Sequence, residues 1–315
     1  MQKFIYFLST PKIMPLELNL QESFELSRVK KRTARTFAIG ENNNIYVATH
    51  VGKNSSPEIL ILSPNLEAIA SVDIAKSLGH SESQAPALLS LDANNETVYG
   101  IYERNGIIAG FELDTETRQI KTENVPTPRD RVHLIGFADK SVYTIFGGYE
   151  TIPNTSKIVV VGTKYVSPRI RLPKDFADAV PCPEGKGIYV LCCGDLSGEG
   201  QIHFLSYDEW LTGRVNSSFI AVPKYADSQS RIAVDKEGEI WLSYSMYKGA
   251  YKATLEVVEQ GIPTKSRIRF NTTAELPFKV NDMAFDSEGG LLILGGNYTP
   301  DNLIDRINRY EVIRK

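Results

Sequence analysis

An all-β fold, a six-bladed β-propeller of four-stranded antiparallel blades, is what this 315-residue sequence predicts. Three observations predict it. One phrase, an apolar run, a polar turn and a second apolar run, occurs six times at steps near fifty residues, and such a period marks a repeat architecture. Two more strand-like runs follow each of the first five copies, and four strands per unit is the composition of a propeller blade. No stretch of useful length carries apolar residues at helical spacing.

The copies are RTFAIGENNNIYVATH from Arg35, ALLSLDANNETVYGIYE from Ala87, HLIGFADKSVYTIFG from His133, DAVPCPEGKGIYVLCC from Asp178, RIAVDKEGEIWLSYS from Arg231 and NDMAFDSEGGLLILGG from Asn281. The second apolar position of their second strands is Tyr46, Tyr99, Tyr143, Tyr189, Trp241 and Leu292, at steps of 53, 44, 46, 52 and 51 residues. Val, Ile, Tyr and Phe fill the runs, and Asn, Asp, Gly, Lys and Glu fill the turns, which is the composition of β-hairpins. The third and fourth strands read EILILSP and EAIASVDI, GIIAGFELD and RQIKTENV, KIVVVGTKY and PRIRLP, QIHFLSYDE and VNSSFIAVP, and AYKATLEVV and KSRIRFN. The sixth unit has only INRYEVIRK (Ile307 to Lys315) left to it, so its missing strand is expected from the N-terminus, where KFIYFLST and PLELNL precede the first repeat. A ring closed in this way leaves no long edge strand exposed. No Pro- or Gly-rich linker divides the chain, and residues 1–315 are expected to form a single propeller domain.

Alternation along the first strands suggests that the small residues Ala38, Ser90, Gly136, Pro181, Ala233 and Ala284 face a narrow axis. Nearer one mouth of the channel stand Arg35, Ala87, His133, Asp178, Ser230 and Asn281. Loops from every blade converge on such a mouth, which makes Arg35, His133, Asp178, Arg231, Asn281 and Asp282 the candidate ligand-binding residues. Tyr149, Tyr244 and Tyr247, expected in loops between second and third strands, offer aromatic contact surface beside them. The competing account has these charges pair with one another and tie the blades together.

Composition removes several functions. With 35 basic and 38 acidic residues, a formal net charge of -3, no global field draws in nucleic acid or an anionic membrane. The basic run RVKKRTAR (Arg28 to Arg35) reads as a solvated connector. The N-terminal apolar run is too short for an export signal or a membrane span, so a soluble cytoplasmic monomer is expected, or an exported one if a signal sequence has been trimmed. Three cysteines, Cys182, Cys192 and Cys193, argue by their odd count against a disulfide framework. A hairpin turn at PEGKG would place Cys182 near Tyr189 and roughly 10 Å from Cys192, at about 3.3 Å per residue, too far to bridge. Buried reduced thiols are expected. GDLSGEG lacks the Lys-Ser/Thr ending of a phosphate loop, and no histidine pair has metal-ligand spacing.

The stretch IAVDKEGEIWLSYS resembles the NHL repeat, and the six-unit ring is similar to the superfamily that holds NHL propellers, gluconolactonase-type metal hydrolases and bacterial TolB-like six-bladed propellers. The resemblance covers nearly the whole chain at the level of fold. With loops converging on the channel mouth, the leading expectation is a non-enzymatic binding or scaffold propeller, without cofactor, that recognises a protein segment or small ligand there. The alternative is a divalent-metal-dependent hydrolase or lactonase with an ion such as Ca2+ in the same mouth. Asp178, Asn281 and Asp282 supply oxygen ligands for such an ion, while Arg35 and His133 oppose a cation there. The binding protein is the expected reading, with no catalytic residue and no metal ligand assigned.

Overall fold

The computed structural model describes residues 16–26, 32–51, 57–79, 87–93, 97–104, 107–123, 131–138, 141–147, 155–160, 170–171, 176–182, 186–192, 200–206, 218–221, 230–245, 253–258, 272–276, 278–299 and 302–314. Strand β1 (Leu16–Glu25) comes first. The first repeat gives β2 (Arg32–Ile39), β3 (Ile45–Val51), β4 (Pro57–Leu62) and β5 (Ala68–Asp73), followed by a single helical turn, Ile74–Ser77. The second gives β6 (Ala87–Ala93), β7 (Thr97–Arg104), β8 (Ile107–Asp114) and β9 (Ile120–Glu123). The third gives β10 (Arg131–Ala138), β11 (Ser141–Gly147), β12 (Thr155–Val160) and β13 (Ile170–Arg171). The fourth gives β14 (Phe176–Pro181), β15 (Gly187–Cys192), β16 (Gln201–Ser206) and β17 (Ser218–Ala221). The fifth gives β18 (Arg231–Val234), β19 (Ile240–Ser245), β20 (Ala253–Val258) and β21 (Thr272–Leu276). Strands β22 (Lys279–Phe285), β23 (Leu291–Thr299) and β24 (Asn302–Arg314) end the chain.

Each repeat folds into its own antiparallel sheet in chain order, and the last sheet reads β1-β24-β23-β22. The N-terminal strand therefore completes the C-terminal sheet, with Leu16 opposite Arg314 and Glu25 opposite Arg306. First strands of successive sheets touch in sequence, β2 to β6 to β10 to β14 to β18 to β22, and β22 touches β2 again. This is a propeller arrangement.

The repeated phrase owes its turn chemistry to one hydrogen-bond pattern. Asp235 N donates to Glu239 O at 3.1 Å and Gly238 N to Asp235 O at 3.0 Å; Asp286 N donates to Gly290 O at 2.9 Å and Gly289 N to Asp286 O at 3.0 Å. Gly40 to Asn44 repeats the pattern, with Asn43 N donating to Gly40 O at 2.8 Å. The fourth residue of each turn is left-handed, at φ 60° for Asn43, 83° for Gly238 and 88° for Gly289, and Gly and Asn reach that region at least cost.

The first, fifth and last sheets bury both faces against their neighbours, so their second strands read as continuous apolar runs, and β15 of the fourth sheet is buried along its whole length. One core holds Ala38, Tyr46 and Ile61 of the first sheet against Leu91, Tyr102 and Phe111 of the second. Another sets Phe37, Val47 and Leu60 against Leu292, Leu294 and Ile307 of the last. Trp241 of β19 packs with Met283, Leu291 and Tyr310 in a third.

These cores correct the expected axis-facing column. Ala38, Ala233 and Ala284 lie in or against inter-sheet cores, because a radially placed sheet turns its faces to its neighbours and only a strand edge toward the axis. The pairing also shifts the alignment. Asp92, not Ser90, stands opposite Tyr99, and Val180, not Pro181, stands opposite Tyr189, since hairpin loops differ by a residue among repeats. In the fifth repeat the fourth strand is Thr272–Leu276, and the expected KSRIRFN lies outside the described residues, as does KFIYFLST. Cys182 and Cys192 are buried and in no disulfide, set at opposite ends of the β14–β15 pair, where Cys192 faces Phe176 and Cys182 N donates to Gly187 O at 2.9 Å. Cys193 lies outside the described residues.

Candidate functional site

At the end of the first strands remote from the hairpin turns, a bulge recurs. Pairing slips between Ala34 and Thr36, Leu88 and Ser90, Phe176 and Asp178, and Val280 and Asp282. A bulge re-aims the side chains beside it. The residue after each slip faces the second strand two places beyond the aligned Tyr or Leu: Thr36 opposite Ala48, Ser90 opposite Ile101, Asp178 opposite Leu191, Asp282 opposite Leu294. Arg231 opposite Ser243 and His133 opposite Ile145 occupy the same level without a slip before them. One rung of the fold is thus polar in all six sheets.

Most of its members are bonded to the next sheet. Asp178 Oδ2 accepts the Ile232 N–H at 3.0 Å, and Asp282 Oδ2 accepts the Phe37 N–H at 3.1 Å and the Thr36 hydroxyl at 2.7 Å. Ile232 and Phe37 are equivalent, each facing the residue after the aligned aromatic, Leu242 and Val47. The same carboxylate device therefore satisfies an edge N–H at two seams. Asp282 Oδ1 takes a second N–H, that of Met283, at 2.9 Å. Arg231 donates through Nε to the Asn281 carbonyl at 2.7 Å and through a terminal guanidinium nitrogen to the Ser230 carbonyl at 2.8 Å. Asn281 Nδ2 continues the circuit to the Ala34 carbonyl at 3.1 Å. For these groups the blade-to-blade ties of the competing account are present.

The electrostatics follow from that geometry. Burial and then the neighbouring Asp178 charge push the Asp282 carboxyl up to about 6, while Thr36, Arg231 and the Phe37 N–H pull the other way. Arg35, thrust out by the first bulge, is exposed, and burial together with the Arg35 charge lowers the His50 imidazole. Of the expected aromatic contacts, Tyr244 stands on β19 opposite Thr254 rather than in a loop, and Tyr149 and Tyr247 lie outside the described residues.

Two acidic residues here were not singled out by pattern. Asp305 is 1% exposed, and its Oδ2 accepts the Ala34 N–H at 2.7 Å, tying β24 to the first sheet. Burial pushes the Asp92 carboxyl up to about 7, and its Oδ1 accepts the Ala93 N–H at 2.9 Å. In SLDANN, Asp92 reads as a turn residue; only the pairing register lifts it into the strand.

No family model matches the chain, and no curated protein matches it. Solved structures do. A chain of Kuenenia stuttgartiensis hydrazine synthase matches at 14% identity over 90% of this chain and 84% of its own, with a TM-score of 0.55. A chain of the mitotic checkpoint complex matches at 9% identity over 99% and 98%, with a TM-score of 0.57. Luciferin-regenerating enzyme matches at 14% identity over 91% and 94%, with a TM-score of 0.57. These likenesses establish the β-propeller fold, which hosts enzymes and components of complexes alike. Among the described residues no helix is long and apolar enough to cross a membrane.

Proposed function

We propose that this chain is a six-bladed propeller, NHL- and TolB-like in its repeat, that acts without catalysis as a binding or scaffold protein and takes a protein segment or small ligand at the bulge-bearing mouth of its channel. The six sheets and the return contact of β22 with β2 support the blade number. One observation carries the site: the bulges set a polar rung whose buried members are held by neighbouring backbones, while Arg35 projects from it into solvent. Such a rim is pre-organised, and a partner meets charge without having to order it. The hydrolase reading has less support. A divalent ion at this mouth would compete with the N–H groups that the Asp178 and Asp282 oxygens already accept, beside the Arg231 guanidinium.

Affinity capture from the native cell, run in parallel on three forms of the chain, tests the reading. Arg35→Glu is expected to lower recovery of the bound partner about fivefold, whereas Lys236→Glu, on a hairpin turn at the opposite end, leaves recovery unchanged. Equal recovery on all three forms overturns the mouth assignment. Stoichiometric calcium, zinc or manganese in an elemental analysis of the purified chain would favour the hydrolase instead.

A further inference from the structure

Acids and bases at the polar rung are matched unequally. The oxygens of Asp178, Asp282 and Asp305 accept the N–H groups of Ile232, Phe37 and Ala34, so a fixed main-chain dipole meets each carboxylate. The arginines lack such a match. Arg231, half-buried on β18, spends two of the five N–H donors of a guanidinium on the Asn281 and Ser230 carbonyls, and the rest of its fork has no hydrogen-bond partner among the described residues. Arg35 is exposed and makes no hydrogen bond among them. Its charge still reaches His50, whose imidazole is lowered first by burial and then by Arg35.

Asn281 joins the two arginines. Its carbonyl accepts the Arg231 Nε–H, its Nδ2 donates to the Ala34 carbonyl, and Arg35 follows Ala34 in the bulge. A hydroxyl stands beside them. Ser243 lies directly opposite Arg231 in the β18–β19 pairing, and two places along those strands Ala233 and Trp241 pack in the core shared with the sixth sheet. Arg231 and Ser243 therefore leave the fifth sheet on one face, toward Asn281. Ser243 is 1% exposed and its Oγ has no hydrogen-bond partner. A buried hydroxyl left in that state costs stability that a ligand oxygen would restore.

We propose that the mouth recognises a carboxylate, held on the open part of the Arg231 guanidinium with the Ser243 hydroxyl donating to it and Arg35 drawing it in from solvent. The proposal rests on the reading of the mouth as a binding site and names the chemistry of what binds there. A planar carboxylate matches a guanidinium fork, whereas an amide offers it a single neutral oxygen and an ammonium ion offers it no acceptor. Such a carboxylate belongs either to a free acid or to an acidic side chain of a protein segment, and the test separates these sources.

The Asn281 side-chain amide resonance reads the site. Titration with succinate and with an acetylated tetrapeptide of Asp and Glu is expected to shift it saturably. Succinamide and the corresponding tetrapeptide of Asn and Gln keep the size, lose the charge, and are expected to leave it in place. Tighter binding of the acidic tetrapeptide than of succinate supports a protein segment as the source, and the reverse order supports a free acid. Arg231→Lys keeps the charge but loses the fork and should weaken the response about tenfold. Ser243→Ala removes an oxygen that the fold does not use, so it serves even if Arg231→Lys fails to fold, and it should weaken the response about threefold to tenfold. No saturable shift, an equal shift with the uncharged probes, or unchanged affinity in Ser243→Ala overturns the proposal. If no probe binds while Arg35→Glu still lowers partner capture, the mouth stands and its preference for a carboxylate falls. Equal capture on every form together with saturable binding of the acidic probes keeps the carboxylate site and removes the partner.

Discussion

The two ends of the first strands spend the same side chain differently. At the hairpin end, Asp235 and Asp286 turn back on their own loops: Asp235 Oδ1 accepts the Glu239 N–H at 2.8 Å, and Asp286 Oδ1 accepts those of Glu288 and Gly290 at 3.0 and 2.7 Å. At the mouth end, Asp178 and Asp282 reach across a seam to backbone 54 and 245 positions away in sequence. A carboxylate at the turn stabilises one hairpin, which each repeat needs and each can form alone. A carboxylate at the mouth stabilises the relation between two sheets. Carboxylates gathered near an axis repel one another as turn carboxylates spread around a rim do not, and the pKa of Asp282, raised first by burial, is raised further by the Asp178 charge.

The largest effect is expected at the turn. Asp286 is 4% exposed at its side chain and holds two N–H groups together with the Arg309 guanidinium. Asp286→Ala strands all three donors and should cost about 3 kcal/mol in denaturant unfolding with an unchanged m-value. A loss below about 1 kcal/mol would mean that the turn carboxylate is dispensable. Next comes Asp282, whose folded-state pKa of about 6 lies above the ordinary 3.8. The folded chain therefore binds this proton more tightly than the unfolded chain, and ionising Asp282 destabilises the fold. Wild-type stability relative to Asp282→Asn is expected to fall as pH rises from about 4 to about 6, by at most about 3 kcal/mol at about 1.4 kcal/mol per unit. A constant difference across that window would place Asp282 in an ordinary solvated setting.

What the sequence discloses follows the same division. The turn end is legible because its logic is local: Asp235 and Gly238, Asp286 and Gly289 stand at fixed short spacing, and one repeat suffices to read them. The four-strand unit and the return of the N-terminal segment to the C-terminal sheet are legible too, since both follow from counting runs. The mouth is only half legible. The residue types near each first-strand entry are visible, and Asp178, Arg231, Asn281 and Asp282 do come together. The bulge that separates Arg35 and Asn281 from the rung they adjoin leaves no compositional mark, and neither does the one-residue difference in loop length that brings Asp92 level with Ala38. Register is fixed by pairing across strands, and a one-residue slip changes which face a side chain takes.

The smallest expected effect tests whether the mouth carboxylates act on one another across the axis. Asp178 is 8% exposed and accepts the Ile232 N–H, and Asp178→Asn keeps a carbonyl oxygen for that donor, so the substitution should cost about 1 kcal/mol. The same substitution removes the charge that ranks second among the causes raising Asp282. With that neighbour neutral, only burial opposes ionisation of Asp282, while Thr36, Arg231 and the Phe37 N–H continue to favour it. The Asp282 carboxyl, followed by its side-chain carbon resonance through a pH titration, should therefore ionise below about 6 in Asp178→Asn, and its apparent pKa should be unmoved in Asp235→Asn. A shift of equal size in both variants would show a change in the general field of the chain. A shift confined to Asp178→Asn ties two sheets that share no seam, because Asp178 bonds to the fifth sheet and Asp282 to the first, with Arg231 of the fifth sheet standing between them and donating to the Asn281 carbonyl.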